Sequence, residues 1–118
     1  MNAVEIKAFV PTKDFELAKQ FYIDLGFSIP WSDNDLAYVL FQDCSFFLQN
    51  FYVEEHAENF VMHLMVDDAD AWWANWNEKD IVNRYGVFMS EPKDEPWKMR
   101  DFHLIDPTGV LWHIAHNI

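Results

Sequence analysis

Residues 4–27, VEIKAFVPTKDFELAKQFYIDLGF, contain in order an apolar strand, an acidic helix start, an amphipathic helix and a glycine. The same order recurs in residues 60–87, FVMHLMVDDADAWWANWNEKDIVNRYGV. Strand-forming segments follow each copy and close on a hairpin, at Gln42-Asp43 in the first and at Asp106-Pro107-Thr108-Gly109 in the second. The chain is therefore predicted to be an α+β protein made of two βαβββ repeats. Each repeat is expected to form a curved half-barrel whose inner surface makes a cup.

The repeat boundaries follow from these signals. We place the first repeat at residues 1–50 and the second at residues 59–118, joined by a polar linker at 51–58 within a single domain of 118 residues. The first helix is predicted over residues 15–24, capped by Asp14 or Thr12 and ended by Gly26. Asp67 or Asp68 is expected to cap the corresponding helix of the second repeat.

The composition limits the partners of the protein. A net charge of −12, from 20 acidic and 8 basic residues, excludes nucleic-acid binding by counterion release and would attract a cationic small molecule. No run reaches the roughly 18 apolar residues that span a membrane, and no signal peptide is evident, so a cytoplasmic protein is expected. The single cysteine, Cys44, excludes an internal disulfide. The 18% aromatic content exceeds what a small core needs, so some rings are expected to line a ligand surface or a subunit interface.

The order of short motifs resembles the vicinal oxygen chelate superfamily, the group of glyoxalases, bleomycin resistance proteins and extradiol dioxygenases. The matching pieces run from residue 10 to residue 113: Asp14-Phe15, Phe21-Tyr22, Leu25-Gly26-Phe27, Val66-Asp67-Asp68, Pro96-Trp97, Arg100, Phe102 and Asp106-Pro107-Thr108-Gly109. The segment Phe9–Phe15 and the position of Trp97 are most similar to bleomycin resistance proteins. This resemblance implies a homodimer with a ligand groove at or near the subunit interface. It also implies that the N-terminal strand can be exchanged between subunits, with Pro11 at the crossover.

Enzymes of that superfamily hold a divalent metal through one residue, usually His or Glu, on each of four strands. Counting from the turns, the resemblance places these positions at His113, Leu48, Val61, and either Glu5 or Lys7. Leu48 and Val61 carry no donor atom, so no metal and no other cofactor are expected. The alternative is a shifted site of Glu5, His63 and His113, which would make the chain a metal-dependent lyase, isomerase or dioxygenase. The remaining histidines, His56, His103 and His116, are expected at surface or edge positions.

The alternation of residues along each strand predicts which side chains face the cup. The expected cup-facing set is Glu5, Lys7, Phe9, Phe46, Leu48, Val61, His63, Met65, Leu111, His113 and Ala115. The opposite set is expected to pack beneath the helices: Val4, Ile6, Ala8, Met62, Leu64, Val110, Trp112 and Ile114. Trp97, on a loop with two prolines, is expected either to stack on a planar ligand or to fill the core or a dimer seam.

These assignments predict a ligand-binding site without a catalytic residue, made of Lys7, Phe9, Trp31, Tyr38, Phe46, Leu48, His63, Trp97 and His113. The predicted function is metal-independent binding of a small aromatic, cationic molecule, as in drug sequestration. Besides the metal-dependent enzyme, the other alternative is a scaffold whose cup is filled by its own aromatic side chains.

Overall fold

A computed structural model of residues 1–118 contains two β-sheets with the same strand order. The first sheet has the order β1-β4-β3-β2 and the second the order β5-β9-β8-β6, with β7 as an additional strand beside β8. In both sheets the first and last strands of the repeat pair in parallel, and the other pairs are antiparallel. The predicted α+β fold with two βαβββ repeats is confirmed.

The elements are short, as the frequent turn signals predict. The strands are β1 (Phe9–Pro11), β2 (Ser28–Ser32), β3 (Leu36–Phe41), β4 (Cys44–Gln49), β5 (Val61–Met65), β6 (Phe88–Met89), β7 (Lys93–Glu95), β8 (Met99–Ile105) and β9 (Leu111–Asn117). The helices are α1 (Phe15–Leu25), α2 (Glu54–Glu58), α3 (Ala69–Glu78) and α4 (Ile81–Tyr85). None of these helices combines the length and the apolar character that crossing a bilayer requires.

Local sequence accounts for the ends of the main helices. The Asp14 carboxylate accepts a hydrogen bond from the backbone N–H of Leu17 at 3.1 Å and caps α1. Gly26 ends α1 in the left-handed region, at φ 110°, where a side chain would be strained. Asp68 caps α3 through the N–H of Ala71 at 3.3 Å. These caps fix where each repeat turns from its first strand into its helix.

Three short elements go beyond the sequence-based expectation. The segment 51–58, expected to be an irregular linker, contains α2, and the proline-containing segment 91–99 contains β7. A second short helix, α4, follows α3 before Gly86. All three have five residues or fewer, and apolar periodicity is weak over such lengths.

The two repeats share one aromatic core. The ring of Tyr22 in α1 packs edge-on against Phe46 of β4, with centroids 5.3 Å apart, and Trp112 of β9 lies 5.2 Å from Phe46. Trp76 of α3 is buried and donates its indole N–H to the carbonyl oxygen of Leu25 at 2.9 Å. Side chains of each repeat thus complete the core of the other.

The predicted orientation of β4 is wrong. Phe46 and Leu48 were expected to face the cup, but they are 3% and 0% exposed and point into the core beneath the helices. Phe47, between them, lies on the opposite face. Ala115 shares its face of β9 with His113, as expected, but it is covered by its neighbours and fully buried.

The N-terminal segment differs from the prediction as well. The first strand was expected over Val4–Val10, but of these residues only Phe9 and Val10 pair with β4, and the strand continues to Pro11. Val4 and Ile6 are 91% and 96% exposed, so the prediction that they pack beneath the helices is wrong for a single chain. The other residues of that set lie in the core or against it: Ala8, Met62, Leu64, Val110, Trp112 and Ile114.

Candidate functional site

The open face of the first sheet, the face that points away from the helices, carries one aromatic side chain on each strand. Phe9 on β1 is in register with Phe47 on β4, Phe47 with Tyr38 on β3, and Tyr38 with Trp31 on β2. The ring centroids are 5.1 Å apart for Phe9 and Phe47 and 6.1 Å apart for Tyr38 and Phe47. We call this row of four rings the aromatic ladder.

A wide groove of about 480 Å³ lies over the aromatic ladder. It is lined by Glu5, Lys7, Trp31, Tyr38 and Phe47. The Lys7 ammonium lies 5.4 Å from the ring centroid of Tyr38 and 5.5 Å from that of Phe47, and it pairs with the Glu5 carboxylate. The charges of the groove therefore neutralise one another, while the half-exposed indole of Trp31 offers a surface for stacking.

The open face of the second sheet carries three histidines in the equivalent arrangement. His63 on β5 is in register with His113 on β9, and His113 with His103 on β8. The ring centroids are 6.2 Å apart for His63 and His113 and 4.5 Å apart for His103 and His113. We call this row the histidine ladder.

The internal repeat relates the two ladders. Phe9 and His63 each lie five residues before the Asp that caps the first helix of their repeat. Strand pairing then matches Phe47 with His113, and Tyr38 with His103. The four central positions, on β1, β4, β5 and β9, are therefore Phe9, Phe47, His63 and His113. Counting along the sequence placed Leu48 and Val61 at two of these positions, and the structure replaces them with Phe47 and His63.

The metal set that the resemblance implies does not fit these residues. Phenylalanine rings occupy two of the four central positions and supply no donor atom. The alternative donor Glu5 precedes β1 and lies beside the first sheet, near Lys7 and the hydroxyl of Ser45, and does not gather with His63 and His113.

The donor cluster that the structure does contain lies within one hairpin, at Asp101, His103 and His113. Asp101 is 3% exposed, and one of its carboxylate oxygens is hydrogen-bonded to Nδ1 of His113 at 3.0 Å. Its other oxygen lies 3.2 Å from Nε2 of His103. Sequence reasoning missed Asp101 and favoured a surface or edge position for His103, which is 40% exposed but packs against His113. The sequence did contain a signal for the contact between His103 and His113. In a hairpin closed by the Asp106–Gly109 turn, these two residues lie opposite each other.

Trp97 lies at the tip of the β7–β8 hairpin and does not line the groove over the aromatic ladder. It is 59% exposed, in the three-residue turn between Glu95 and Met99. Of the other predicted ligand-binding residues, Lys7, Phe9, Trp31, Tyr38, His63 and His113 lie on the open faces of the sheets, whereas Phe46 and Leu48 lie in the core.

A second cavity, of about 410 Å³, lies on the helix side of the sheets. Its lining includes Leu25, Phe41, Asp67, Trp72 and Lys79, and no member of either ladder. The ring centroid of Trp72 lies 5.0 Å from that of Phe41 and 5.7 Å from that of Trp76, so Trp72 packs against both rings.

The repeated sheets and their two ladders define a protein of the paired βαβββ class. The chain belongs to the Glyoxalase/Bleomycin resistance protein/Dioxygenase superfamily, whose family model matches residues 4–114. No curated protein matches the sequence significantly.

Solved structures with the same fold include several antibiotic-binding proteins. A bleomycin-binding protein in complex with bleomycin is 20% identical, with a TM-score of 0.80 and coverage of 97% of this chain and 98% of that chain. The bleomycin-binding protein of Streptomyces verticillus, in complex with copper(II)-bleomycin, is 24% identical, with a TM-score of 0.81 and coverage of 99% and 100%. TnmS3, an antibiotic binding protein from Streptomyces sp. CB03234, is 25% identical, with a TM-score of 0.77 and full coverage of both chains.

Proposed function

We propose that this protein binds a planar aromatic small molecule on the open face of its first sheet and acts by sequestration, without breaking a bond. The observation that carries the proposal is the aromatic ladder, which places four rings side by side across one sheet. Offset or edge-on contacts with such rings favour flat apolar guests. A groove of about 480 Å³ also falls in the usual size range of small-molecule sites.

The binding is proposed to need no metal. Phe9 and Phe47 occupy two of the four central positions, and their carbon atoms contribute contact area instead of coordination. Solved structures of antibiotic-binding proteins with this fold support the same class of ligand here. The net charge of −12 favours a cationic guest at long range.

We further propose that the working form is a homodimer in which the N-terminal segment packs on a second copy of the chain. Val4 and Ile6 alternate with Glu5 and Lys7 in the segment before β1 and expose nearly all of their apolar surface in one chain. Trp97, at an exposed hairpin tip, is proposed to reach a groove only when a partner is present. Exchange of the N-terminal strand between subunits, with Pro11 at the crossover, would cover Val4 and Ile6. We place the protein in the cytoplasm, with no nucleic-acid or membrane partner.

The test is a binding titration in the presence of EDTA. Metal-free bleomycin and a planar acridinium cation are titrated into the wild type and into Trp31→Ala, with tryptophan fluorescence and calorimetry as readouts. At least one ligand is expected to bind and to raise Tm, and Trp31→Ala is expected to weaken that binding about tenfold. The control is Ile23→Ala, which removes a half-exposed apolar side chain from α1. If no planar ligand binds, or if turnover of the ligand accompanies binding, the sequestration proposal is wrong.

A further inference from the structure

The second sheet carries a cluster of donor atoms that the proposed function does not use. Asp101 and His103 alternate on β8, and His113 lies directly across from His103 on β9. All three side chains therefore project from the same face of a single hairpin. The position of each side chain is fixed by the backbone ladder, because adjacent strands hold register through their hydrogen bonds.

The spacing of the donor atoms matches a small divalent ion. Nδ1 of His113 lies 3.0 Å from one Asp101 oxygen, and Nε2 of His103 lies 3.2 Å from the other. The donor atoms of all three residues lie within 4.8 Å of one another. An ion that holds ligands at 2.0–2.2 Å in tetrahedral geometry separates neighbouring donors by about 3.3 Å. Two of the separations, each to a different oxygen of Asp101, are close to that value, and the two imidazole donors lie within 4.8 Å of each other.

The buried carboxylate of Asp101 supplies an independent reason for a cation. Its Oδ1 is shielded from solvent and makes no hydrogen bond in the protein. The nearby Nε2 of His103 is close enough for an ion pair, but its N–H does not point at that oxygen. A buried acceptor without a partner costs about 1–3 kcal/mol. Neither oxygen is paired with a lysine or arginine, since the two ion-pair partners of Asp101 are both histidines.

The nearest cation along the strand is directed elsewhere. Arg100 projects from the opposite face of β8, where its guanidinium pairs with Asp70 at 2.8 Å and with Asp94 at 2.9 Å. It therefore does not neutralise Asp101. The cluster thus combines one buried anionic oxygen with two imidazoles and has no resident positive side chain.

We propose that Asp101, His103 and His113 bind a divalent first-row transition ion of the zinc type. Two imidazoles and a carboxylate suit zinc, nickel, cobalt or iron(II) better than magnesium or calcium. The exposed side of His103 leaves coordination positions free for water or for a ligand in the cup. All three donors come from one hairpin, so the site differs from the superfamily's arrangement of one ligand on each of four strands. This site goes beyond the proposed binding function, which needs only the first sheet.

The test uses metal alone and the full chain without an affinity tag. Protein stripped with EDTA and dialysed is titrated with zinc chloride by calorimetry, and with cobalt(II) while its visible d–d absorption is recorded. One equivalent of zinc per chain and a cobalt spectrum unlike that of the aqua ion are expected. His103→Gln is expected to weaken zinc binding at least tenfold, because only Asp101 and His113 then remain as strong ligands. His56→Gln, which changes an exposed histidine of α2, is the matched control and is expected to bind like the wild type.

Two results would overturn the site. The first is zinc binding no tighter than millimolar in the wild type. The second is undiminished affinity in His103→Gln combined with loss of affinity in His63→Gln, which would place the ion between β5 and β9. Asp101→Asn serves as a second variant, with its folding checked by circular dichroism, because Asp101 is buried. None of these readouts involves an aromatic ligand, so failure here is distinct from failure of the sequestration proposal.

Discussion

Tyr22 in the helix of the first repeat donates its phenolic O–H to the Asp106 carboxylate in the hairpin turn of the second repeat, across 2.6 Å. Burial raises the pKa of Tyr22 well above its ordinary value, which keeps the phenol protonated and makes it the donor. The phenolic oxygen in turn accepts the indole N–H of Trp112 at 2.8 Å. The other oxygen of Asp106 accepts the backbone N–H groups of residues 108, 109 and 110. One buried hydroxyl therefore links the core of the first repeat to the turn of the second.

Tyr22→Phe is expected to destabilise the protein by about 3 kcal/mol, because it leaves both Asp106 and Trp112 with an unpaired buried group. Urea unfolding followed by tryptophan fluorescence measures the loss. Tyr52→Phe is the matched control, since Tyr52 is exposed and makes no such bond. Equal stability of Tyr22→Phe and the wild type would show that the link does not hold the repeats together.

Asp24 is expected to contribute to stability in a pH-dependent way. A hydrogen bond from the Tyr85 hydroxyl, aided by Arg84 at 2.7 Å, lowers the pKa of Asp24 below its ordinary 3.8. Because the folded state favours the ionised form, this contribution is present above about pH 4 and is lost as the pH falls through the folded-state pKa. Asp24→Asn should therefore cost stability at pH 7, and the difference from the wild type should shrink as the pH falls through the folded-state pKa of Asp24.

Urea unfolding at a series of pH values measures the contribution of Asp24. Asp43→Asn, in the exposed β3–β4 turn, provides the control. A stability difference for Asp24→Asn that stays constant from pH 7 to pH 2 contradicts the linkage to Asp24.

The N-terminal segment is expected to stabilise the dimer and not the monomer. Ile6 is 96% exposed in one chain, so Ile6→Asp should leave the stability of an isolated chain unchanged. If a second copy covers Ile6, the same substitution should raise the dimer dissociation constant at least about tenfold, since burying an isoleucine is worth about 1.5–3 kcal/mol. Analytical ultracentrifugation over a concentration series gives the constant.

Ile23→Asp, on the outer side of α1, controls for the added charge, because Ile23 is also exposed. A wild-type protein that sediments as a monomer at all concentrations rules out the proposed dimer. Equal dissociation constants for Ile6→Asp and the wild type rule out the exchange of the N-terminal segment.

Lys7 is expected to tune the charge preference of the groove. Its ammonium already occupies the cation position over Tyr38 and Phe47, so it competes with a ligand cation for the same ring faces. Lys7→Met should therefore raise the affinity for an acridinium cation about threefold to tenfold, by removing a like charge a few ångströms away. The affinity for a neutral planar ring should change little.

Parallel titrations of the acridinium cation and of a neutral planar dye, at low and moderate salt, measure the effect of Lys7 on ligand affinity. Lys13→Met is the control, since Lys13 lies over Tyr52 and does not line the groove. If Lys7→Met raises the affinity for both dyes equally, the lysine obstructs the groove by its size and not by its charge.

Turn and cap chemistry made much of the fold predictable. Asp14, Gly26 and the Asp106–Gly109 turn act on their nearest neighbours, so the sequence around them is enough to place α1 and the last hairpin. The phase of β4 was predicted wrongly for a different reason. It was counted from the hairpin turn to Leu48, whereas the polar residues Ser45 and Gln49 mark the face that Phe47 shares. The pairing of β4 with β3 and β1 places Phe47 on that open face.

Part of the candidate site was also visible in the sequence. Lys7, His63 and His113 were assigned to the cup, and Trp31 and Tyr38 to the ligand-binding site. All five lie on the open side of the sheets. The donor role of Asp101 was not visible, because it depends on how deeply the hairpin lies in the fold and on the directions of the neighbouring imidazoles. The exposure of Val4 and Ile6 was missed for a related reason. An alternating apolar pattern shows that a face prefers burial, but it does not show which chain buries it.

The sequence by itself determined the repeat, the strand and helix order and the family, because these depend on short-range patterns and turn residues repeated along the chain. Tertiary structure alone decided that one sheet carries a row of aromatic rings and the other a row of histidines. Those rows form across strands that are far apart in sequence, and each depends on the register of several strand pairs at once. A slip of one residue in any pair would turn the side chains to the opposite face.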